Sequence, residues 1–310
     1  MYKVGIDMGG TRIKIGLVRN GKVVASNILE AASDQSFKVH LPLLERGISQ
    51  LFPKGEKKDI QAIGVAFPGL VDTAKNAIID TSSKYTDAPS LNLVRWAQQK
   101  FGVPLKIDND ARLACLGEWR YGAGKGVSDM VLLTLGTGIG TAVIMNGQLL
   151  RGKHFQAGIL GGHFIIDYKD KNHVCSCGKY GCSEAIASMW MIRDLAKGHP
   201  QFNKSLLSSA NVIDWETILS LSAQNDTLAI ILKEHCLQTW AVTLVNLVHA
   251  YDPERIVIGG GIMHSGAIVL DYLRDTMEKR AWCPSGPPEV RQADFPDTAA
   301  LLGATELFAG

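Results

Sequence analysis

The chain of 310 residues has almost no excess charge of either sign: 32 Lys and Arg against 30 Asp and Glu leave a formal +2. That balance excludes a polybasic nucleic-acid binder or an acidic tail as a main feature and points to small partners. Long hydrophobic runs are lacking too. The longest apolar stretch, Val131 to Met145, is interrupted by three Thr and three Gly and falls short of the roughly 20 residues that span a bilayer, so no membrane partner is expected. The opening MYKVGIDMGG has no apolar signal core with a small-residue cleavage site, which sets the expectation of a cytoplasmic location. Two familiar phosphate motifs are missing. In GEWRYGAGKG, Ala123 follows Gly122 where a P-loop needs Lys. GTGIG lacks the G-x-G-x-x-G spacing and the acidic residue about 20 positions on that NAD binding uses.

Cysteine is sparse and uneven. Cys175, Cys177 and Cys182 lie within eight positions, whereas Cys115, Cys236 and Cys283 are scattered in apolar surroundings. In a reducing compartment clustered thiols point to a metal and scattered ones to core packing. What the chain has in quantity is hydrophobic residues, 46%, and 32 glycines, the composition of a packed protein with many tight turns. Its length fits about two domains.

The patterning alternates strands and helices. Residues 2–8 read as a buried strand, GGT as a turn, IKIGLVRN as a second strand, Asn20-Gly21 as a hairpin and KVVASNIL as a third strand. Helical spacing follows over 36–52, a strand over 60–67 ending at Pro68 and Gly69, a helix over 90–101 with Ser90 as N-cap, and a short strand reaching Asn109 and Asp110. A helix over 111–121, a strand over 129–136, the turn TGIG, the strand TAVIMN and a second Asn-Gly come next. Strand, glycine turn, strand and Asn-Gly hairpin thus occur at 4–21 and again at 131–147, which implies two related halves. Residues 184–248 read as largely helical, DPERIVIGGG as a turn, a strand and three glycines, and AALLGATELF as a terminal helix.

Three glycine turns carry candidate chemistry. DMGGTRIK, Asp7 to Lys14, places a carboxylate at a strand end, then two residues able to take positive φ, then a hydroxyl. Such a turn aims N–H groups at an anion beside a metal-binding acid, although by itself it reads as an ordinary hairpin. LGTGIGT, Leu135 to Thr141, has the same character, and IGGGI over 258–262 offers a glycine surface for a nucleotide. CSCGKYGC is a Cys-x-Cys-x4-Cys arrangement in which Gly178 and Gly181 let the chain fold back. Zinc takes four ligands in a tetrahedron, and the fourth is His163, twelve positions upstream, or the nearer His173. The role would be structural, fixing the loop that carries Glu184.

In order and spacing, DMGGTRIK, GVAFPGLVD (64–72), NDARLACLGE (109–118), LGTGIG, GGH followed by CSCGKYGCSE, and DPERIVIGGG resemble the ROK family of sugar kinases and related repressors in the actin-like ATPase superfamily. The likeness spans nearly the whole chain, and the Cys-x-Cys-Gly-x-x-Gly-Cys-x-Glu string is its most specific part. It implies an α/β, two-domain actin-like ATPase (ribonuclease H-like) fold with an interdomain active-site cleft. The implied small domain covers 1–108 and is completed by a C-terminal helix over 296–310; the large domain covers 109–295 and carries the zinc loop. The implied activity is ATP-dependent phosphorylation of a hexose or N-acyl-hexosamine, at the 6-hydroxyl, by a homodimer using ATP, Mg²⁺ and structural Zn²⁺. By the same likeness Asp110 is the general base, and Asn109, Gly69, His163 and Glu184 face the sugar. His163 also completes zinc with Cys175, Cys177 and Cys182. Asp7 stands near Mg²⁺, Gly9, Gly10, Thr11, Thr137 and Gly138 near the phosphates, and Gly260 and Gly261 on the adenosine side. Lys14 joins the nucleotide contacts or pairs with a neighbouring acid.

Two departures bear on the substrate. Where the family has Ala-Gly-Glu-x-Gly-His, this chain reads AGILGGH, with no acid at Ile159 or Leu160. TSSKYT over 81–86 replaces Pro-Asn-Leu-x-Gly-Trp, so Ser82, Ser83 or Lys84 takes the place of an Asn at the sugar. Losing the partner of a hydroxyl changes discrimination by orders of magnitude, which puts glucose in question as acceptor. The alternative is a sugar-sensing member without kinase activity, against which stand Asp7, Thr11, Asp110 and both phosphate turns. A DNA-binding repressor of this family carries a helix-turn-helix ahead of the first turn. Here that turn begins at residue 7, so no nucleic-acid partner is expected.

Overall fold

The computed structural model of the chain describes residues 1–52, 59–81 and 84–309. Its elements in chain order are β1 (Tyr2–Met8), β2 (Arg12–Arg19), β3 (Lys22–Glu30), α1 (Phe37–Gln50), β4 (Ile60–Phe67), β5 (Leu70–Asp72), β6 (Ala77–Asp80), α2 (Leu93–Phe101), β7 (Leu105–Asn109) and α3 (Asp110–Tyr121). They continue with β8 (Met130–Leu135), β9 (Ile139–Met145), β10 (Gln148–Leu149), α4 (Ser183–Ala187), α5 (Met189–Gly198), α6 (Trp215–Ala223), α7 (Thr227–Tyr251), β11 (Arg255–Gly259), α8 (Gly266–Arg280), β12 (Glu289–Gln292) and α9 (Ala299–Glu306). Two compact units form: Met1–Ser128 with Ala142–Gly158 and Asp297–Gly310, and Asp129–Thr141 with Ile159–Pro296.

The first unit is built on the sheet β3-β2-β1-β4-β7. The β1–β2–β3 meander is antiparallel, and β4 and β7 are added in parallel. Asn20 and Gly21 have φ of 51° and 69°, the left-handed pair that a two-residue type I′ hairpin needs. Val4, Ile6, Met8, Ile13, Ile15, Phe37 and Phe67 form a fully buried core. α2 starts at Leu93 and not at 90. Two capping residues compete there, and the one directly before the apolar Leu93, Trp96 and Ala97 face prevails: Asn92 Oδ1 accepts the N–H of Arg95 at 2.9 Å. Ser90 closes the preceding turn onto the Asp87 carbonyl instead.

The unit runs past the boundary expected at 108 because α3 lies on α9 at backbone distance. A Cβ on Gly64, Gly117 or Gly303 would overlap the carbonyls of Ala304, Ala299 and Leu113 respectively. Glycine at these three places lets α9 bury itself against β4 and α3 at once.

The second sheet has the order β10-β9-β8-β11-β12, the plan of the first sheet repeated, with the division between units falling inside β9. Asn146 and Gly147 have φ of 51° and 69°, so the expected second hairpin takes the same turn as the first. The helical stretch expected over 184–248 is four helices. Asp214 and Asp226 act as caps for α6 and α7, accepting the N–H of Thr217 and Ala229 at 2.9 Å. α7 is long and apolar enough to cross a membrane by length and composition, but Leu237, Trp240 and Leu244 are buried in the protein and the Trp240 indole donates to the Ala187 carbonyl at 3.0 Å. Cys115 and Cys236 are core residues as expected, whereas Cys283 is half-exposed in the loop between α8 and β12.

Candidate active site

In the first unit β7 ends and α3 begins at Asp108-Asn109-Asp110, and each side chain has its own task. Asn109 caps α3, its Oδ1 accepting the N–H of Arg112 at 3.1 Å. Its amide donates to the Gly69 carbonyl at 3.0 Å and to Asp110 Oδ1 at 2.9 Å. Asp110 Oδ1 also accepts the Ala111 N–H at 2.8 Å, so the carboxylate sits at the positive end of a helix. Burial pushes its pKa above the ordinary carboxylate range, against the Ala111 N–H and the charge of Lys84, which pull it down.

Asp108 is fully buried and accepts from Arg112 Nη1 at 3.3 Å and Arg151 Nη2 at 2.7 Å. Arg112, also fully buried, donates to the carbonyls of Leu150, Phe155 and Ala157 at 3.2, 2.7 and 3.1 Å. The loop after β10 is thereby strapped to the turn that holds Asn109 and Asp110. Sequence reasoning missed this network, since Asp108 lies at the end of a strand while Arg112 lies in the helix after it and Arg151 far along the chain.

Asp7 lies at the end of β1, opposite Lys14 in β2. Burial, then the negative charge of Asp110, push its pKa up to about 7, while Lys14 pulls it down. Lys14 itself pairs with the Asp297 carboxylate at 2.9 Å and donates to the Asp297 carbonyl at 3.0 Å. Gly9 and Gly10 do not take the expected positive φ. Glycine is required at 9 because a Cβ would stand 2.5 Å from the Arg12 carbonyl oxygen. Both glycine carbonyls are tied back: Tyr85 Oη donates to that of Gly9 at 2.9 Å and Ser33 Oγ to that of Gly10 at 2.7 Å. In a trans peptide the N–H points opposite to the C=O. The N–H groups of Gly10 and Thr11 are therefore turned away from these two anchors. Ser33 and Tyr85 carried no sequence signal for this role. Ser83, and Ser82 beside it, lie outside the described residues.

The second unit repeats the device. The carbonyls of Gly136 and Thr137 accept from the N–H groups of Met189 and Trp190 at 3.2 and 3.3 Å, which turns the N–H groups of Thr137 and Gly138 outward. Gly260 has φ of 91°, and a Cβ there would overlap the Leu135 backbone; Gly261 faces open space. Glu184 stands in the first turn of α4. Its Oε1 accepts from Ser176 Oγ at 2.6 Å and its Oε2 from the Ile139 N–H at 3.2 Å, joining the Cys-rich loop to the glycine turn.

One ligand atom each from His163, Cys175, Cys177 and Cys182 lies within 4.8 Å of the others. The Cys177 and Cys182 sulfurs are 3.8 Å apart, and Cys175 Sγ is 3.4 Å from His163 Nδ1. A zinc tetrahedron with Zn–S bonds of about 2.3 Å has edges of roughly this length, so the donor set fits zinc. Burial and the neighbouring thiols push the Cys182 thiol up, a cost that a bound cation removes. His173 is outside the cluster, with Nδ1 3.1 Å from Asp170 Oδ1. Gly178 and Gly181, at φ of 76° and 75°, turn the loop as expected.

Two sheets on one plan, each with a glycine turn whose carbonyls are pinned back, define an α/β protein of the actin-like ATPase fold. The chain belongs to the ROK family, whose model matches residues 3–310. It is 29% identical over 312 residues to a glucokinase of Thermotoga maritima, covering 98% of this chain and 96% of that one. It is 28% identical over 312 residues to a xylose repressor of Caldicellulosiruptor bescii, covering 97% of this chain and 76% of that one. A solved ROK family glucokinase from Streptomyces griseus, in complex with glucose and AMPPNP, matches with a TM-score of 0.82 at 26% identity over 99% of both chains.

Proposed function

We propose that the chain is an ATP-dependent sugar kinase that phosphorylates a hexose or N-acyl-hexosamine at the 6-hydroxyl, with Asp110 as general base. The observation that carries this reading is the setting of Asp110: a carboxylate oriented by Asn109 and the start of α3, electrostatically coupled to Asp7 at the end of β1. Asp110 Oδ1 holds the Asn109 and Ala111 donors, and Oδ2 takes the acceptor hydroxyl. As the sugar oxygen bonds to the γ-phosphorus, the bond from that phosphorus to the β,γ-bridging oxygen breaks, ADP leaves, and the hydroxyl proton passes to Asp110. The hydroxyl becomes acidic only as it attacks, so positioning and charge neutralisation supply most of the acceleration.

The N–H groups of Gly10 and Thr11, and of Thr137 and Gly138, take phosphate oxygens, and Gly260 and Gly261 lie against the adenosine. Asp7, whose carboxyl burial and Asp110 raise to about 7, would hold Mg²⁺, which when bound would supply charge neutralisation at the phosphates. Lys14 acts on the nucleotide site through Asp7. Asn109, His163 and Glu184 face the sugar, with Gly69 holding the Asn109 amide, and His163, Cys175, Cys177 and Cys182 would hold a zinc ion that would fix the Glu184 loop. The matching glucokinases support the reaction class. Ile159 and Leu160, standing where the family places an acid, favour an acceptor other than glucose.

That same missing acid favours a second reading, a sugar sensor without phosphotransfer, which the relative named as a xylose repressor supports. Incubation with ATP, Mg²⁺ and a panel of hexoses and N-acyl-hexosamines separates the two. ADP release with a sugar 6-phosphate as product supports the kinase; sugar binding by calorimetry with no transfer supports the sensor.

A further inference from the structure

We propose that Lys84 is a second catalytic residue, whose ammonium holds an oxygen of the transferred phosphoryl group at the Gly10 turn. The proposal rests on the reading of that turn as a phosphate cradle and deepens it. Lys84 is half-buried, and its N–H donates to the Thr81 carbonyl at 3.0 Å. The next residue, Tyr85, is fully buried; its N–H donates to Ser33 at 2.8 Å and its hydroxyl to Gly9. The same two residues that pin back the Gly9 and Gly10 carbonyls therefore fix the backbone that delivers Lys84.

The side chain lies on the turn. Nζ and Cε are each 3.3 Å from the position a Cβ on Gly10 would occupy. Among the described residues Nζ has no hydrogen-bond or ion-pair partner, whereas Lys14 on the same unit is fully engaged with Asp297. A partly desolvated ammonium without an acceptor is unfavourable until an anion arrives. Lys84 is close enough to Asp110 for its charge to draw that carboxyl down against the larger effect of burial, yet the two form no ion pair. One cation, two backbone donors and the base thus share a locus. A fixed cation there offsets the negative charge spread over the equatorial oxygens during transfer.

An anionic oxygen at Lys84 could belong to the nucleotide or to an acidic sugar, and the test separates these sources. Binding of Mg²⁺–AMPPNP and Mg²⁺–ADP is measured by calorimetry for the wild type, Lys84→Met and Lys84→Arg, with thermal melts to confirm that each variant folds. The expected result is AMPPNP affinity weakened roughly tenfold or more by Lys84→Met, the size of a lost charge-assisted hydrogen bond, with ADP affinity within about twofold of the wild type. Lys84→Arg should restore most of the loss. In turnover, Lys84→Met should lower kcat while the sugar KM moves little. Equal binding of both nucleotides by the wild type and Lys84→Met overturns the proposal, and a rise confined to the KM of an acidic sugar overturns it in favour of the acceptor. A wild type that distinguishes AMPPNP from ADP through Lys84 but phosphorylates no sugar would sink the kinase reading and leave Lys84 at the phosphoryl site.

Discussion

The side-chain amide of Asn109 donates to the Asp110 carboxylate at 2.9 Å while the Oδ1 of the same residue caps the helix that Asp110 begins. The start of α3 and the orientation of the Asp110 carboxylate are therefore one structural event. The buried Asp108–Arg112 pair and the glycine-mediated contact of α3 with α9 hold that event in place from behind.

Asp7 makes the stability of the fold sensitive to pH. Its carboxyl is raised from 3.8 to about 7 on folding, so between these values the native state keeps a proton that the unfolded chain has released. Stability then falls as pH rises through that window. The full shift corresponds to about 4 kcal/mol, and the partial exposure of the side chain reduces this to roughly 1–3 kcal/mol. Urea unfolding at pH 5 and pH 8 without divalent cations should show the loss in the wild type and a smaller one in Asp7→Asn. Equal losses in both would remove Asp7 as the source.

Zinc content separates the two histidines. Elemental analysis of unchelated protein should give about one zinc per chain, with His173→Ala matching the wild type and His163→Ala or Cys182→Ser falling below about half. Loss of zinc from His173→Ala with retention in His163→Ala would invert the assignment.

Gly303 lets α9 touch α3. Because a Cβ there would overlap the Leu113 carbonyl, Gly303→Ala should destabilise the protein by about 3 kcal/mol or more, read as a lower urea midpoint. Gly102→Ala, where nothing lies within 4 Å but φ is 71°, should cost about 1 kcal/mol. Similar midpoints for the two variants would contradict the close packing of α9.

Much of this was legible because its signals are local. The paired Asn-Gly hairpins announced two sheets of one plan, and Asn109-Asp110 announced a strand end and a helix start. The rest depended on residues far apart in the chain. Tyr85 and Ser33 meet the first glycine turn from 76 and 23 residues away, and no local pattern encodes that. The sequence could mark Gly9 and Gly10 as special but not why, since close approach and positive φ both select glycine. The choice of His163 over His173 follows from the bridge pairing Ile165 with Cys182, which brings the distant histidine in and leaves the nearer one to Asp170. At α2, Ser90 and Asn92 are both good caps, and only packing of the apolar face decides between them.

The most direct test of the account is phosphate transfer by Asp110→Asn, measured with ATP, Mg²⁺ and the best acceptor of the wild type, alongside sugar affinity by calorimetry. Loss of a general base predicts a kcat lower by about 10²–10⁴-fold with sugar affinity within a few-fold of the wild type. Turnover at the wild-type rate would contradict the assignment of Asp110, and with it the mechanism proposed for this chain.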